Sequence, residues 1–339
     1  LYAHFAFKRF LRKHLSIAHY DAVIATMAPP EHLRLGAWMN QHTGTPFIAD
    51  YRDTYDNRIM STTFRPSWRE RLGIDLKRHY HRRWMRRCSL LVSVSRPLLR
   101  MLSQELRVGN SVEVRNGYDP DLLEPQTDMI DRGYFRLIYS GQIYPHQILS
   151  PFIEAMEFFL ARLTSEERGQ VRLSFYGIAD LTHAANLNKH FSGLATVMTA
   201  RISQNELHRA LSQSCILLIF DYGQTGVYSG KLMEYVGMHR NILMIPSDKG
   251  VIAELVQNGR LGLATGDPAA AADFLFARFR EWQASGHPMF TGDADVIAAA
   301  SMSMQTALLA HAVRQLVASS SQAGPGTGKN ASTGHRSPR

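Results

Sequence analysis

One repeated unit organises this chain: a short apolar run, a loop of glycine or polar residues, then a longer stretch in which apolar side chains recur every three or four positions. The unit reads as strand, loop, helix, and its repetition predicts parallel sheets covered by helices. Residues 21–26 form the first such run, stopped by Met27, Ala28, Pro29 and Pro30, and helical spacing follows over 31–42 through Leu33, Leu35, Trp38 and Met39. Further strands are expected at 46–49, 89–95, 111–114, 135–139, 171–176, 215–220 and 241–245, with helices at 1–19, 97–106, 149–163 and 231–238. Ser203 followed by Glu206 is a capping box, which assigns Glu206 to a helix start rather than to chemistry.

At roughly 150 residues per domain, 339 residues give two domains. The expected division is a first domain over 1–118, a Pro-rich and acidic linker over 119–131, a second domain over 132–290, a helical segment over 291–318, and a Ser, Gly and Pro-rich tail over 319–339 too polar to order itself. The apolar runs are strand-sized, far short of the ~20 residues of a membrane-spanning helix. Two cysteines make no disulfide framework and no secretory signal pattern opens the chain, so a reducing cytoplasm is the expected location.

Charge is unevenly placed. Residues 1–118 hold 20 Lys+Arg against 9 Asp+Glu, while 119–339 hold 18 against 20. The densest part, 65–87, carries Arg65, Arg69, Arg71, Lys77, Arg78, Arg82, Arg83, Arg86 and Arg87 among Trp68, Leu72, Ile74, Tyr80 and Trp84. That composition suits a helix lying on an anionic membrane. A solvated basic helix, or one that pairs with nucleic acid or an acidic partner, has the same composition.

Two loops carry chemistry. Gly223, Gly226 and Gly230 precede the helix that begins near Lys231, and a glycine loop at a helix N-terminus lets backbone N–H groups approach a diphosphate. Lys231 adds a full charge there, and Glu234, one turn on, can accept hydrogen bonds from ribose hydroxyls; an ordinary i,i+3 surface pair is the competing reading. At the end of the second strand, Asp50 or Asp53 can orient or deprotonate a hydroxyl while Arg52 holds a phosphate, or the three form an internal salt bridge. Gly177 ends another strand, as a close approach for a nucleotide or as a simple tight turn. The 15 histidines show no metal-ligand spacing, so no metal site is expected.

Three stretches, Ala49-Asp50-Tyr51-Arg52-Asp53, Val114-Arg115-Asn116-Gly117-Tyr118-Asp119 and Ser229-Gly230-Lys231-Leu232-Met233-Glu234-Tyr235, together resemble a retaining glycosyltransferase of the GT-B fold, family 4, over about residues 15–290. The resemblance implies α/β architecture with two Rossmann-like, doubly wound parallel-sheet domains facing a cleft. It implies sugar transfer from a UDP- or GDP-sugar to a glycan or lipid-linked acceptor in the assembly of a bacterial surface polysaccharide. No metal and no cofactor take part, nucleic acid is not a partner, and the protein works in the cytoplasm at the inner face of the plasma membrane. Asp50, Arg52 and Asp53 are then catalytic. Gly141, Gln142, His146, Gly177, Arg201, Gly226, Ser229, Gly230, Lys231 and Glu234 bind the donor.

The family usually has a glutamate eight positions before the one matching Glu234, where this chain has Gly226. It also has an Arg and a Lys where Gln142 and Gln147 stand. Lys231, with His146 or Arg201 and the helix N-termini, must then stabilise the charge on the diphosphate. A catalytically silent relative that binds a nucleotide-sugar or another protein is the alternative. The family's first domain opens with a strand and a glycine loop before the helix that here occupies 1–19, so truncation at the N-terminus is expected.

Overall fold

The structure is a computed structural model that describes residues 2–15, 20–60, 64–123, 129–144, 147–221 and 226–322. The first domain runs α1 (Tyr2–Leu15), β1 (Val23–Thr26), α2 (Glu31–Thr43), β2 (Phe47–Tyr51), a 3-10 turn (Asn57–Met60), α3 (Trp68–Met85), β3 (Cys88–Ser93), α4 (Arg96–Leu106) and β4 (Ser111–Glu113). Its four strands are parallel and lie in the order β1-β2-β3-β4. Local chemistry sets the helix ends. Ser67 and Glu70 form a capping box that starts α3, Ser95 caps α4 ahead of Pro97, and Gly44 at φ 73° ends α2.

Alternation along β2 sends Phe47, Ala49 and Tyr51 to one face and Ile48 and Asp50 to the other. The first face packs against Leu33 and Ala37 of α2, Ile74 and Met85 of α3, and Leu98, Leu102 and Leu106 of α4. Gly36 lets α2 lie on Phe47, because a Cβ there would come within 2.3 Å of the ring. The strand continues two residues past the expected end at 49. Asp50 pairs in register with Thr26 and Val92, so the polar cluster begins inside the sheet.

The second domain runs β5 (Phe135–Ser140), α5 (Ser150–Ala161), α6 (Ser165–Arg168), β6 (Val171–Tyr176), α7 (Leu181–His190), β7 (Ala195–Met198), α8 (Gln204–Ser212), β8 (Ile216–Ile219), α9 (Gly230–Gly237), β9 (Asn241–Met244), α10 (Val251–Asn258), β10 (Gly262–Ala264) and α11 (Pro268–Ser285). Its six parallel strands lie in the order β10-β9-β8-β5-β6-β7. The chain starts at β5, builds outward through β6 and β7, then returns to the other side of β5 for β8, β9 and β10. Such a reversal leaves a crevice at the carboxyl ends of the two central strands, here β5 and β8. An aromatic cluster of Phe135, Phe152, Phe159, Phe175, Phe279 and Trp282 fills one face of the sheet; Ile138, Leu217, Ile219, Tyr235 and Ile242 line the other. The Ser203–Glu206 capping box starts α8 as expected.

Two last helices, α12 (Ala294–Ala299) and α13 (Met302–Gln322), return to the first domain. Leu309, Ala312, Val313 and Leu316 of α13 cover Ile48, Leu90, Val92 and Val114, the face of the first sheet that α2, α3 and α4 leave open. The return is fixed by backbone bonds, Met302 N–H to Tyr118 O at 2.7 Å and Tyr118 N–H to Ala300 O at 3.1 Å. Gly117 is required there, since a Cβ would lie 2.4 Å from Met302 N. α13 also extends four residues into the tail expected from 319. The Ser319 and Ser320 hydroxyls bond back to the carbonyls of Gln315 and Leu316, and 323–339 lie outside the described residues. No described helix is long and apolar enough to cross a membrane.

Candidate active site

The carboxyl ends of the two sheets meet through the segment that follows β8. The Gly226 carbonyl, at φ 85°, accepts from the Ser95 hydroxyl beyond β3. Val227 joins the core of the first domain, and the Arg115 guanidinium lies 5.1 Å over the Tyr228 ring. Gly226 thus serves the contact between domains, and nothing at its position substitutes for a side-chain carboxylate.

On the second-domain side, α9 opens with Ser229, whose hydroxyl accepts from Leu232 N–H and caps the helix start. A Cβ on Gly230 would meet nothing within 4 Å among the described residues. The Lys231 ammonium reaches back to the end of β5. Its Nζ lies 4.0 Å from the centre of the Tyr139 ring and donates to the Tyr139 hydroxyl at 2.8 Å, which in turn donates to Gln142 O at 2.7 Å.

Gly141, at φ 107°, makes room for this lysine: a Cβ there would stand 2.9 Å from Nζ. Gly177, at φ 80°, packs on Gly141, with its would-be Cβ 3.8 Å from Gly141 Cα, while Gly141 N–H bonds to Tyr176 O at 2.8 Å. Both glycines therefore do more than turn the chain. They bring the loops after β5 and β6 into backbone contact beside a cation and a helix N-terminus. Tyr235, in the second turn of α9, holds Ser140 N–H at 2.9 Å and fixes α9 against β5.

Burial pushes the Lys231 ammonium down to about 7, with the Glu234 carboxylate acting in the opposite direction. Burial likewise raises the Glu234 carboxyl, against the charges of His208 and Lys231. The crevice is thus a desolvated place where an arriving anion would restore the lysine's charge.

Gln142 and Gln147 act as ties. Gln142 Oε1 accepts from Ala179 N–H at 3.3 Å, joining the loops after β5 and β6. Gln147 is buried and fully used: Oε1 accepts from Tyr144 N–H at 2.7 Å, and Nε2 donates to the carbonyls of Phe220 and Asp221 at 3.2 and 3.0 Å. Arg201 stands exposed after β7, and β6 and β5 separate that strand from β8. His146 and Gly223 lie outside the described residues.

On the first-domain side, Asp50 is 8% exposed. Its Oδ2 accepts from Arg52 Nε at 3.0 Å and Thr26 Oγ1 at 3.3 Å, while buried Oδ1 has no hydrogen-bond partner among the described residues. Arg52 also donates to Asn116 Oδ1 at 3.2 Å and Val114 O at 3.4 Å, tying the end of β2 to the turn that leads out of the domain. Asp53 is exposed. The structure joins Asp50 and Arg52 and leaves Asp53 apart. Sequence reasoning missed Tyr139, Tyr235 and Ser95. An aromatic residue immediately before the Ser140-Gly141 loop, and a Ser-Arg-Pro run after a strand, were the signals available for the first and last.

The sequence matches no protein-family model and no curated protein. Solved structures do match. Sucrose-phosphate synthase from Thermosynechococcus elongatus superposes with a TM-score of 0.66 at 13% identity, over 93% of this chain and 77% of that one. HepE of Anabaena in complex with UDP and glucose superposes at 0.60 and 13%, over 91% and 82%. A UDP-forming α,α-trehalose-phosphate synthase from Burkholderia vietnamiensis does so at 0.60 and 13%, over 93% and 78%. All three share the arrangement of two parallel-sheet α/β domains seen here, and the chain has the GT-B fold.

Proposed function

We propose that the protein is a nucleotide-sugar-dependent glycosyltransferase. The observation that carries the reading is the crevice at the ends of β5 and β8, where two touching glycine loops, the N-terminus of α9 and the desolvated Lys231 converge. A diphosphate has the charge and size for that place. As the bond to the sugar breaks, negative charge grows on the leaving diphosphate, and a preorganised cation and helix dipole stabilise it without rearrangement. Glu234 is suited to the ribose hydroxyls. On the opposite side, Asp50 at the end of β2, held in place by Arg52, is the residue to orient an acceptor hydroxyl.

The solved relatives named above include one that binds UDP with glucose and one that forms UDP, which favours a UDP-sugar over a GDP-sugar. Retention of configuration, independence from metal, and a glycan or lipid-linked acceptor in surface polysaccharide assembly complete the proposal. So do the domain limits 1–118 and 132–290. A second reading, a silent nucleotide-sugar binder, is favoured by Gln142 and Gln147, which spend their side chains on backbone atoms.

Calorimetric titration of the full chain with UDP and GDP tests the shared core of both readings; binding of neither would end them. A panel of nucleotide-sugars then separates them, because the transferase releases nucleoside diphosphate and the silent binder does not.

A further inference from the structure

α3 contradicts the pattern of the helices around it. Ile74, His81 and Met85 face inward and are buried. Trp68, Leu72, Leu76 and Tyr80, spaced by four, face outward with 71, 64, 55 and 49% of their surface in solvent. At about 100° per residue they share one face with the exposed Arg69, Arg83, Arg86 and Arg87. Ile74 and the half-buried Trp84, which belong to the same basic stretch of sequence, do not lie in that row. Where α3 ends, a concavity of about 270 Å³ is lined by His79, Arg82, Arg83, Arg86, Leu106 and Arg107.

We propose that this outward face docks on an anionic lipid bilayer, with Trp68, Leu72, Leu76 and Tyr80 entering the headgroup boundary and the arginine basin holding lipid phosphate. Charge complementarity selects this occupant. The acidic groups of α3 are already taken, Glu70 by Ser67 and Arg58, and Asp75 by Arg78. Arg83, Arg86, Arg87 and Arg107 form no ion pair among the described residues, so the face is positive throughout. A second copy of α3 would set arginine against arginine. A nucleic acid would pair with the arginines and leave Leu72 and Leu76 without a role, whereas a bilayer uses both chemistries at once.

The helix is also a rigid platform. Lys77 and Arg58 clamp the buried Asp56 at 2.9 and 2.8 Å, anchoring α3 to the segment that follows β2. Docking would therefore hold the Asp50 side of the molecule close to the lipid surface. The proposal stands independently of the donor site.

Sedimentation of the full chain with vesicles tests it, comparing phosphatidylcholine alone with phosphatidylcholine mixed with phosphatidylglycerol. Binding to the mixed vesicles only is expected. Arg83→Glu with Arg86→Glu should cut that binding more than about 20-fold, at about fivefold for each basic residue lost. Leu72→Ser with Leu76→Ser should cut it about tenfold or more. These residues are exposed, so an unchanged thermal transition certifies the fold. Lys189→Glu with Arg314→Glu, an equal charge change elsewhere, should leave binding unchanged. Equal binding to both vesicle types, binding to neither, or full retention in the leucine variant would overturn the proposal. Tighter binding to duplex DNA than to the mixed vesicles, or a dimer that the leucine variant dissolves, would do the same.

Discussion

The two sides of the cleft treat their charges in opposite ways. Beyond β2, Arg52 is spent on Asp50 and Asn116, and Asp56 on Arg58 and Lys77, so opposite charges cancel inside the domain. Beyond β5 and β8, Lys231 donates to a neutral phenol, and burial disfavours its charge more than the nearby Glu234 carboxylate favours it. Cancelled charges hold a structure together. A cation held in poor solvation costs stability, and a bound anion offsets that cost.

The strongest attempt to break that contrast is Lys231→Met. Loss of the charge should lower nucleoside diphosphate affinity and transfer by about 10²–10³-fold, while the melting temperature rises. The pH dependence fixes the sign. Because the folded group titrates near 7 and the free lysine near 10.5, the cost of burying its charge is fully present below about pH 7 and is relieved as pH rises toward 10.5. Wild-type stability should therefore gain on the methionine variant across that window. Nucleotide affinity should fall about tenfold per pH unit above the folded value, since the anion binds the protonated form. Calorimetry and melting curves at several pH values measure both; a variant that binds as tightly as wild type removes Lys231 from the donor site.

Next in size is Asp50→Asn. The Asp50 Oδ1 has no hydrogen-bond partner among the described residues and Asp50 stands at the end of β2, so transfer should fall about 100-fold. UDP affinity should stay unchanged, because the proposed donor groups lie on the other domain. A parallel loss of UDP binding would mean that the residue supports the fold of the cleft instead.

Strand and helix periodicity made the fold legible through residues such as Leu33, Trp38 and those of β6, whose limits coincide with the expected 171–176. It was less informative at β7 and β10, where Ala195–Met198 and Gly262–Ala264 are too short to show a period. For the site, motif order drew attention to Lys231, Gly141 and Asp50. Contacts between distant segments stayed hidden: nothing local in the sequence says that Tyr139 lies under Lys231, 92 positions away, or that Gly226 meets Ser95, 131 positions away. Gln147 shows the converse, a site position whose side chain is consumed by the backbone.

Gly117→Ala probes how the two sides are held together. The added methyl would meet the backbone of Ser301 and Met302, which cannot swing aside as a side chain would, so the start of α13 must shift. A loss of about 2–3 kcal/mol is expected in denaturant unfolding. Gly230→Ala, whose Cβ would face open space, should leave stability within about 0.5 kcal/mol of wild type. Equal stability in both variants would show that the α13 return is not what couples the domains.

The smallest effect should come from Asp53→Asn, and it is the sharpest test of the first-domain side. Asp50 and Asp53 flank Arg52 in one short motif, yet only Asp50 is buried. Asp53 makes no hydrogen bond or ion pair among the described residues and stands exposed after the strand has ended. A carboxylate in water keeps its solvation and has no fixed direction, so its removal should change transfer by less than about threefold. Steady-state rates for the two asparagine variants decide the matter. If Asp53→Asn were the more damaging, the acceptor would lie on the outer side of the loop beyond β2, and the ion pair of Asp50 and Arg52 would be purely structural.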